Sequence, residues 1–201
     1  MDKKEKLENL KKEMENDNSL PLREGATNLV FGEGNPNTEI LFIGEGPGYW
    51  EDQKGIPFVG NAGTLLNKLL QSIKVNREDV FVTNVVCFRP PNNRDPLPEE
   101  INAFKPYIDK IINIINPKMI ITLGRFSMAK FIPNVFISSV HGSVNNIKWN
   151  DSDKVVIPMY HPAAALRNGN VMNMIKNDFL KIPDVLKEIK SKAVIDQMTL
   201  V

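Results

Sequence analysis

Three short stretches hold the residues best suited to chemistry. They are Glu45 to Phe58 (EGPGYWEDQKGIPF), Asn84 to Arg94 (NVVCFRPPNNR) and His161 to Arg167 (HPAAALR). The first carries the acids Glu45, Glu51 and Asp52 among Gly44, Gly46 and Gly48. Three ligands suit such a loop: a phosphate, a metal or a flat ring. A phosphate cradle needs GxGxxG opening straight into a helix, or GxxxxGK followed by Ser or Thr. Neither is present, and twelve residues separate Gly48 from Asn61, where the next helix is expected to be capped. A metal would draw on carboxylates, because the only histidines are His141 and His161; that leaves a carboxylate-only magnesium site. A flat ring would use Phe58, set between Pro57 and Val59 and held by Gly60 and Gly63, as a stacking wall. Asn84 carries both a donor and an acceptor, which suits a nucleobase edge. Plain core packing is the competing account of Phe58.

These stretches need elements to position them. EILFIGE (39–45), VFVTNVV (80–86), KMIITLG (118–124) and residues 155–159 read as strands, with NNIKW (145–149) a hairpin partner for the last. Leu7, Leu10 and Met14 give an amphipathic helix over 3–16. Further helices are expected from Asn61 to about 74, over about 99–115, from about 125 to 132, and within about 171–190. CFRPPNNRDPLPEE, with its four prolines, and YHPAAALRNGN read as loops. Alternating strands and helices predict an α/β fold, a three-layer α/β/α sandwich around a mainly parallel four-stranded sheet. Ligands of such sheets bind beyond the carboxyl ends of the strands, and all three stretches leave those ends. One domain is expected over 1–201, with a loosely held tail after about 192.

Composition sets outer limits. Lys plus Arg is 25 against 24 for Asp plus Glu, so any nucleic-acid-binding patch must be local. A single cysteine, Cys87, excludes an internal disulfide and a multi-cysteine metal site. The start of the chain lacks the apolar run of a signal peptide and no segment is apolar enough to span a membrane, so an intracellular (cytoplasmic) protein is expected.

Five segments in order resemble the family 4 uracil-DNA glycosylases of bacteria and archaea: VFGEGNP, GEGPGYWEDQKGIPFVGNAGTLLN, VFVTNVVCFRPPNNRDPLPEE, INPKMIITLG and PMYHPAAALRN. The likeness runs from about Asn28 to Lys187. It implies an α/β/α sandwich that removes uracil from DNA, single- or double-stranded, as an expected monomer. By position, Phe58 corresponds to the aromatic stacked on the flipped uracil, Asn84 to the side chain reading its edge, and His161 to the donor to uracil O2. Glu45 lies in the motif handling the attacking water, as base or as loop anchor, and Gly46 and Gly48 let the backbone approach the ring. Arg89, Arg94 and Arg167 become phosphate contacts, with ordinary surface charge the competing account, and Glu51 either helps exclude the thymine methyl or only caps local backbone. With only Lys54 in these loops, a Schiff-base route lacks its nucleophile and a monofunctional hydrolase is implied. The alternatives are a uracil-binding module without turnover and a glycosylase of broadened specificity. Related covalent trapping proteins carry an inserted histidine-bearing loop after the second strand, and PPNNRDPLPEE has none.

The chain departs from the family in three places. Most members hold a 4Fe–4S cluster through four cysteines, whose positions here are Asp17, Leu20, Phe88 and Phe104. No cofactor is therefore expected, and Leu20, Phe88 and Phe104 are expected to form an apolar plug. The position of the leucine wedge that enters the vacated base stack is Ala165, with Leu166 next. Either Leu166 takes the role or single-stranded DNA is the preferred substrate. His141 stands where the family often has arginine.

Overall fold

The computed structural model describes residues 1–150 and 152–199, with side chains as far as residue 192. In chain order the elements are α1 (Lys3–Asn16), β1 (Glu33–Gly34), β2 (Ile40–Gly44), α2 (Tyr49–Lys54), α3 (Asn61–Ser72), β3 (Phe81–Asn84), α4 (Pro98–Ile115) and β4 (Met119–Leu123). They continue with α5 (Arg125–Ala129), α6 (Ile137–Val140), β5 (Asn145–Trp149), β6 (Ser152–Met159), α7 (Pro162–Ala165), α8 (Gly169–Leu180) and α9 (Ile182–Thr199). The sheet order is β1-β3-β2-β4-β6-β5. β3, β2, β4 and β6 run parallel, and β1 and β5 add to the edges antiparallel.

The sheet thus has six strands rather than the four expected. The parallel centre is the expected set. β5 forms the hairpin with β6, while β1 is a two-residue strand too short to leave a periodic trace. β2 and β4 are buried at every position, which is why they read as unbroken apolar runs.

Alternate strand residues feed two helical layers. Leu41, Ile43, Phe81, Ile120 and Val156 pack with Leu7, Leu10 and Met14 of α1 and with Phe104, Ile108, Ile111 and Ile115 of α4. Phe42, Val82, Ile121 and Ile157 face the other way, against Leu66 and Leu70 of α3 and Ile175 and Phe179 of α8. The result is the expected three-layer α/β/α sandwich.

Several boundaries differ from the sequence reading. Asn61 is the first helical residue of α3; its cap position is Gly60, with no side-chain cap. α2 and α6 are additional short helices. HPAAA is not all loop: His161 caps α7, and Pro162 takes the first helical position. The final helix is two, α8 and α9. The tail expected to be loosely held after about 192 lies mostly outside the described side chains, its backbone helical to Thr199.

Candidate active site

β2, β3, β4 and β6 point their carboxyl ends at one cleft of about 610 Å³. Its walls include Glu45, Gly46, Gly48, Glu51, Phe58, Asn84, Arg94, His161 and Arg167. The three stretches singled out by residue type converge there. Among the described residues no three His, Cys, Asp or Glu side chains group as metal ligands.

Asn84 ends β3 and is 1% exposed. Its Oδ1 is buried without a hydrogen-bond partner. A buried carbonyl left unpaired costs about 1–3 kcal/mol, and this atom is available to accept a ligand's N–H. Gly44 makes room for it. A Cβ there would lie 2.4 Å from Asn84 Oδ1 and 2.6 Å from Phe58 Cζ, so only glycine lets both side chains close on the strand end.

Phe58 has a positive φ of 56°, and the residue is 6% exposed. A left-handed phenylalanine is costly, by about 1–3 kcal/mol, and needs surroundings that impose it. Two are visible. Gly63 of α3 leaves space for the Phe58 carbonyl, which a Cβ would approach to 1.7 Å. Glu51 Oε1 accepts from the amides of Val59 (3.0 Å) and Gly60 (2.8 Å). Glu51 therefore fixes the loop that carries Phe58 and serves the bare amino end of α3, the task sequence had given to Asn61. These bonds turn Glu51 into a support for the aromatic wall. The Phe58 ring lies 5.6 Å from that of His161, with 27° between planes.

His161 Nδ1 accepts from the Ala163 amide at 3.1 Å. An amide always donates, so Nδ1 carries no proton and Nε2 of the neutral ring does. Burial lowers the imidazole pKa to about 4, and the nearby Arg167 charge pushes the same way. The site holds a neutral N–H donor.

Glu45 follows β2. Its Oε1 accepts from the Phe126 amide at 3.1 Å, at the start of α5. Gly124, with φ of 107°, leaves the space the carboxylate occupies. Burial raises the Glu45 pKa above the ordinary carboxylate value, and the negative Asp95 adds to this; the Phe126 amide opposes it. A half-buried carboxylate of raised pKa facing a cleft can orient and deprotonate water.

The arginines differ among themselves. Arg94 lines the cleft, but its two terminal nitrogens bond Glu100 at 2.8 and 2.5 Å, and Glu100 also accepts from the Leu97 amide. Its guanidinium stiffens the proline-rich loop rather than standing free for phosphate. Arg89 lies off the cleft wall, bonded to Asn93 Oδ1 (2.7 Å) and lying 5.2 Å over the Tyr49 ring. Arg167 is exposed at the cleft. Ala165 is 2% exposed and packs into the core, so it is not a surface contact; Leu166 beside it is 48% exposed. His141 Nδ1 lies 2.7 Å from Asp178 Oδ2, and its ring packs against Tyr160.

Leu20, Phe88 and Phe104 are 5%, 4% and 0% exposed and share one core cluster. Phe88 and Phe104 meet edge to face at 6.1 Å, with Arg23 over Phe88. Asp17 accepts from Tyr107 Oη at 2.6 Å. No thiolate is offered here, and the Cys87 thiol, fully buried, has its pKa pushed up to about 12. These residues do not fit an iron–sulfur cluster.

Sequence reasoning missed Gly124 and the Asp95–Arg125 ion pair at the cleft. It left Glu51 open between the thymine methyl and local backbone capping, and the bonds to Val59 and Gly60 favour the capping. Pro162 after a histidine was a legible helix start. Gly124 and the ion pair depend on contacts between distant segments.

Known proteins bear on this cleft directly. The sequence profile of the uracil DNA glycosylase superfamily matches residues 31–186. A type-4 uracil-DNA glycosylase of Sulfurisphaera tokodaii is 45% identical over 186 residues, covering 89% of this chain and 84% of the relative. One from Archaeoglobus fulgidus is 44% identical, covering 90% and 94%, and one from Thermotoga maritima 42%, covering 85% and 89%. The match spans every strand of the sheet and all the loops that form the cleft, and on it the chain belongs to the uracil DNA glycosylase superfamily.

Proposed function

We infer that this chain is a monofunctional uracil-DNA glycosylase: it takes uracil extruded from DNA into the cleft and hydrolyses the bond from N1 to C1′. The observation that carries this reading is the unpaired Oδ1 of buried Asn84, beside an aromatic wall and a neutral imidazole donor. Uracil presents the complement: an N3–H for Oδ1, an O4 for the Asn84 amide, and an O2 for His161 Nε2–H. Cytosine presents an amino group where uracil has O4, and would set donor against donor.

Bond cleavage builds positive charge on the sugar and negative charge on uracil. A hydrogen bond from His161 to O2 strengthens as that charge grows, which lowers the barrier rather than merely tightening binding. A neutral donor suits this role, since the leaving anion needs a hydrogen bond and not a full proton. Water adds its oxygen to C1′, the N1–C1′ electron pair leaves with uracil, and Glu45 takes the water proton. The raised pKa of Glu45 makes it the stronger base.

The same reading assigns no resident cofactor. The apolar cluster of Leu20, Phe88 and Phe104 stands where the family's iron ligands fall and supplies packing instead. The protein is read as an intracellular monomer acting on uracil-containing DNA. Among the described residues no helix is long and apolar enough to cross a membrane. Incubation with a labelled uracil oligonucleotide followed by alkali tests the assignment. Strand cleavage at uracil, and none at cytosine or thymine, is expected; an intact uracil strand overturns it.

A further inference from the structure

Tyr49 and Trp50 are 48% and 58% exposed, although large aromatic side chains gain most from burial. Their rings meet edge to face at 5.1 Å. They sit on the first turn of α2, and the mounting is rigid. Asp52, 1% exposed, accepts from the amides of Thr27 (2.8 Å) and Asn28 (3.2 Å). Glu51 accepts from Val59 and Gly60. Two consecutive inward carboxylates thus lock the helix and leave the two aromatic rings outside.

The pair adjoins the cleft. Gly48, the residue before it, and Glu51, the residue after it, both line the cleft wall. Arg89 lies over Tyr49 and is tied to Asn93, another cleft residue. Aromatic faces beside a guanidinium, continuous with a nucleotide site, match the layout by which proteins hold unpaired bases and their phosphates.

We propose that Tyr49, Trp50 and Arg89 form a stacking platform for the unpaired base next to the flipped uracil, with Arg89 against the intervening phosphate. The proposal rests on the uracil-glycosylase reading and deepens it. A neighbouring base is free to turn onto a protein ring only when it has no partner strand, so the platform favours single-stranded substrate. The exposure of Leu166, one residue past buried Ala165, concerns the gap in a duplex and is a separate feature.

The test uses single-stranded oligonucleotides in which the base on the 5′ or the 3′ side of uracil is replaced by an abasic tetrahydrofuran. With wild type, the spacer on one side lowers kcat/KM about tenfold, the scale of one base–aromatic stack. Trp50→Ala lowers kcat/KM on the natural strand by a similar factor, Trp50→Phe retains most of it, and the losses from spacer and Trp50→Ala do not multiply. Insensitivity to the spacer on both sides, or full activity of Trp50→Ala, overturns the platform while leaving the glycosylase reading intact. Absence of excision from every strand overturns the glycosylase reading instead. In that case tryptophan quenching by a uracil-free single strand, compared with Trp50→Phe, decides the platform: quenching lost in the variant supports it, and equal quenching rejects it.

Discussion

Gly124 and Glu45 compete for the same space: a Cβ on Gly124 would stand 2.3 Å from Glu45 Oε1 and 2.5 Å from Cδ. The carboxylate is seated by an absence in β4's following turn, and by the Phe126 amide one residue beyond Arg125. Gly124→Ala is expected to push Glu45 out of position and to strain a backbone with φ of 107°, costing roughly 1–3 kcal/mol of stability. The single-turnover rate should fall about a hundredfold or more, as for Glu45→Gln, with little change in DNA affinity. A Gly124→Ala enzyme with the wild-type rate would separate Glu45 from the chemistry.

His161 supplies a pH prediction with a definite sign. Its folded pKa is about 4 against 6.5 for the free side chain. Between those values the unfolded chain binds a proton that the folded chain refuses, so stability is full above pH 6.5 and falls as pH drops toward 4. Denaturation midpoints from pH 7 to 4.5 should fall less for His161→Gln than for wild type. The rate profile should show no loss near pH 6.5 from histidine titration. An acid limb is expected from Glu45, whose pKa is raised and whose ionised form is the active base. Loss of that limb in Glu45→Gln checks the assignment.

The Leu20–Phe88–Phe104 cluster makes a compositional prediction. The purified protein should contain no stoichiometric iron, by metal analysis, and no visible charge-transfer absorption. Phe104 is fully buried, so Phe104→Ala should destabilise by about 3–5 kcal/mol through the cavity it leaves. Iron bound in stoichiometric amount would refute the plug.

Leu166 and Ala165 separate two ways of handling the emptied base stack. Leu166 is exposed and Ala165 is core. Leu166→Ala should slow excision from a U:A or U:G duplex several-fold and leave single strands nearly unaffected, because only a duplex has a gap to fill. Ala165→Leu should instead overpack the core and cost about 1–3 kcal/mol. Rates on matched single- and double-stranded substrates read the first, and a thermal melt reads the second.

How far such a site can be read from sequence depends on the range of its contacts. β2 and β4 announced themselves because both faces are buried, and α1 because Leu7, Leu10 and Met14 repeat along one face. Glu45, Asn84 and His161 were legible because each ends or closely follows a strand in an unusual composition, whereas Phe58, between α2 and α3, read equally well as core packing until the family resemblance singled it out. α2 was not legible, since six residues between glycines carry no helical period. Glu51 stood open between excluding the thymine methyl and capping local backbone. Its bonds to Val59 and Gly60, eight and nine residues on, exist only once the loop has closed. Arg94 looked like a free cation until the chain turned and presented Glu100. Charge type was visible in the sequence, and pairing was not.

Asn84 gives the most direct test of the central claim, that the cleft is built to recognise and release uracil. The measurement is the single-turnover rate of base release from uracil, cytosine and thymine oligonucleotides by wild type and Asn84→Ala. The account predicts release of uracil alone by wild type, and a fall of about a hundredfold or more when the unpaired Oδ1 and its amide are removed. Wild type that leaves uracil in place, or Asn84→Ala that releases it at the same rate, would contradict it.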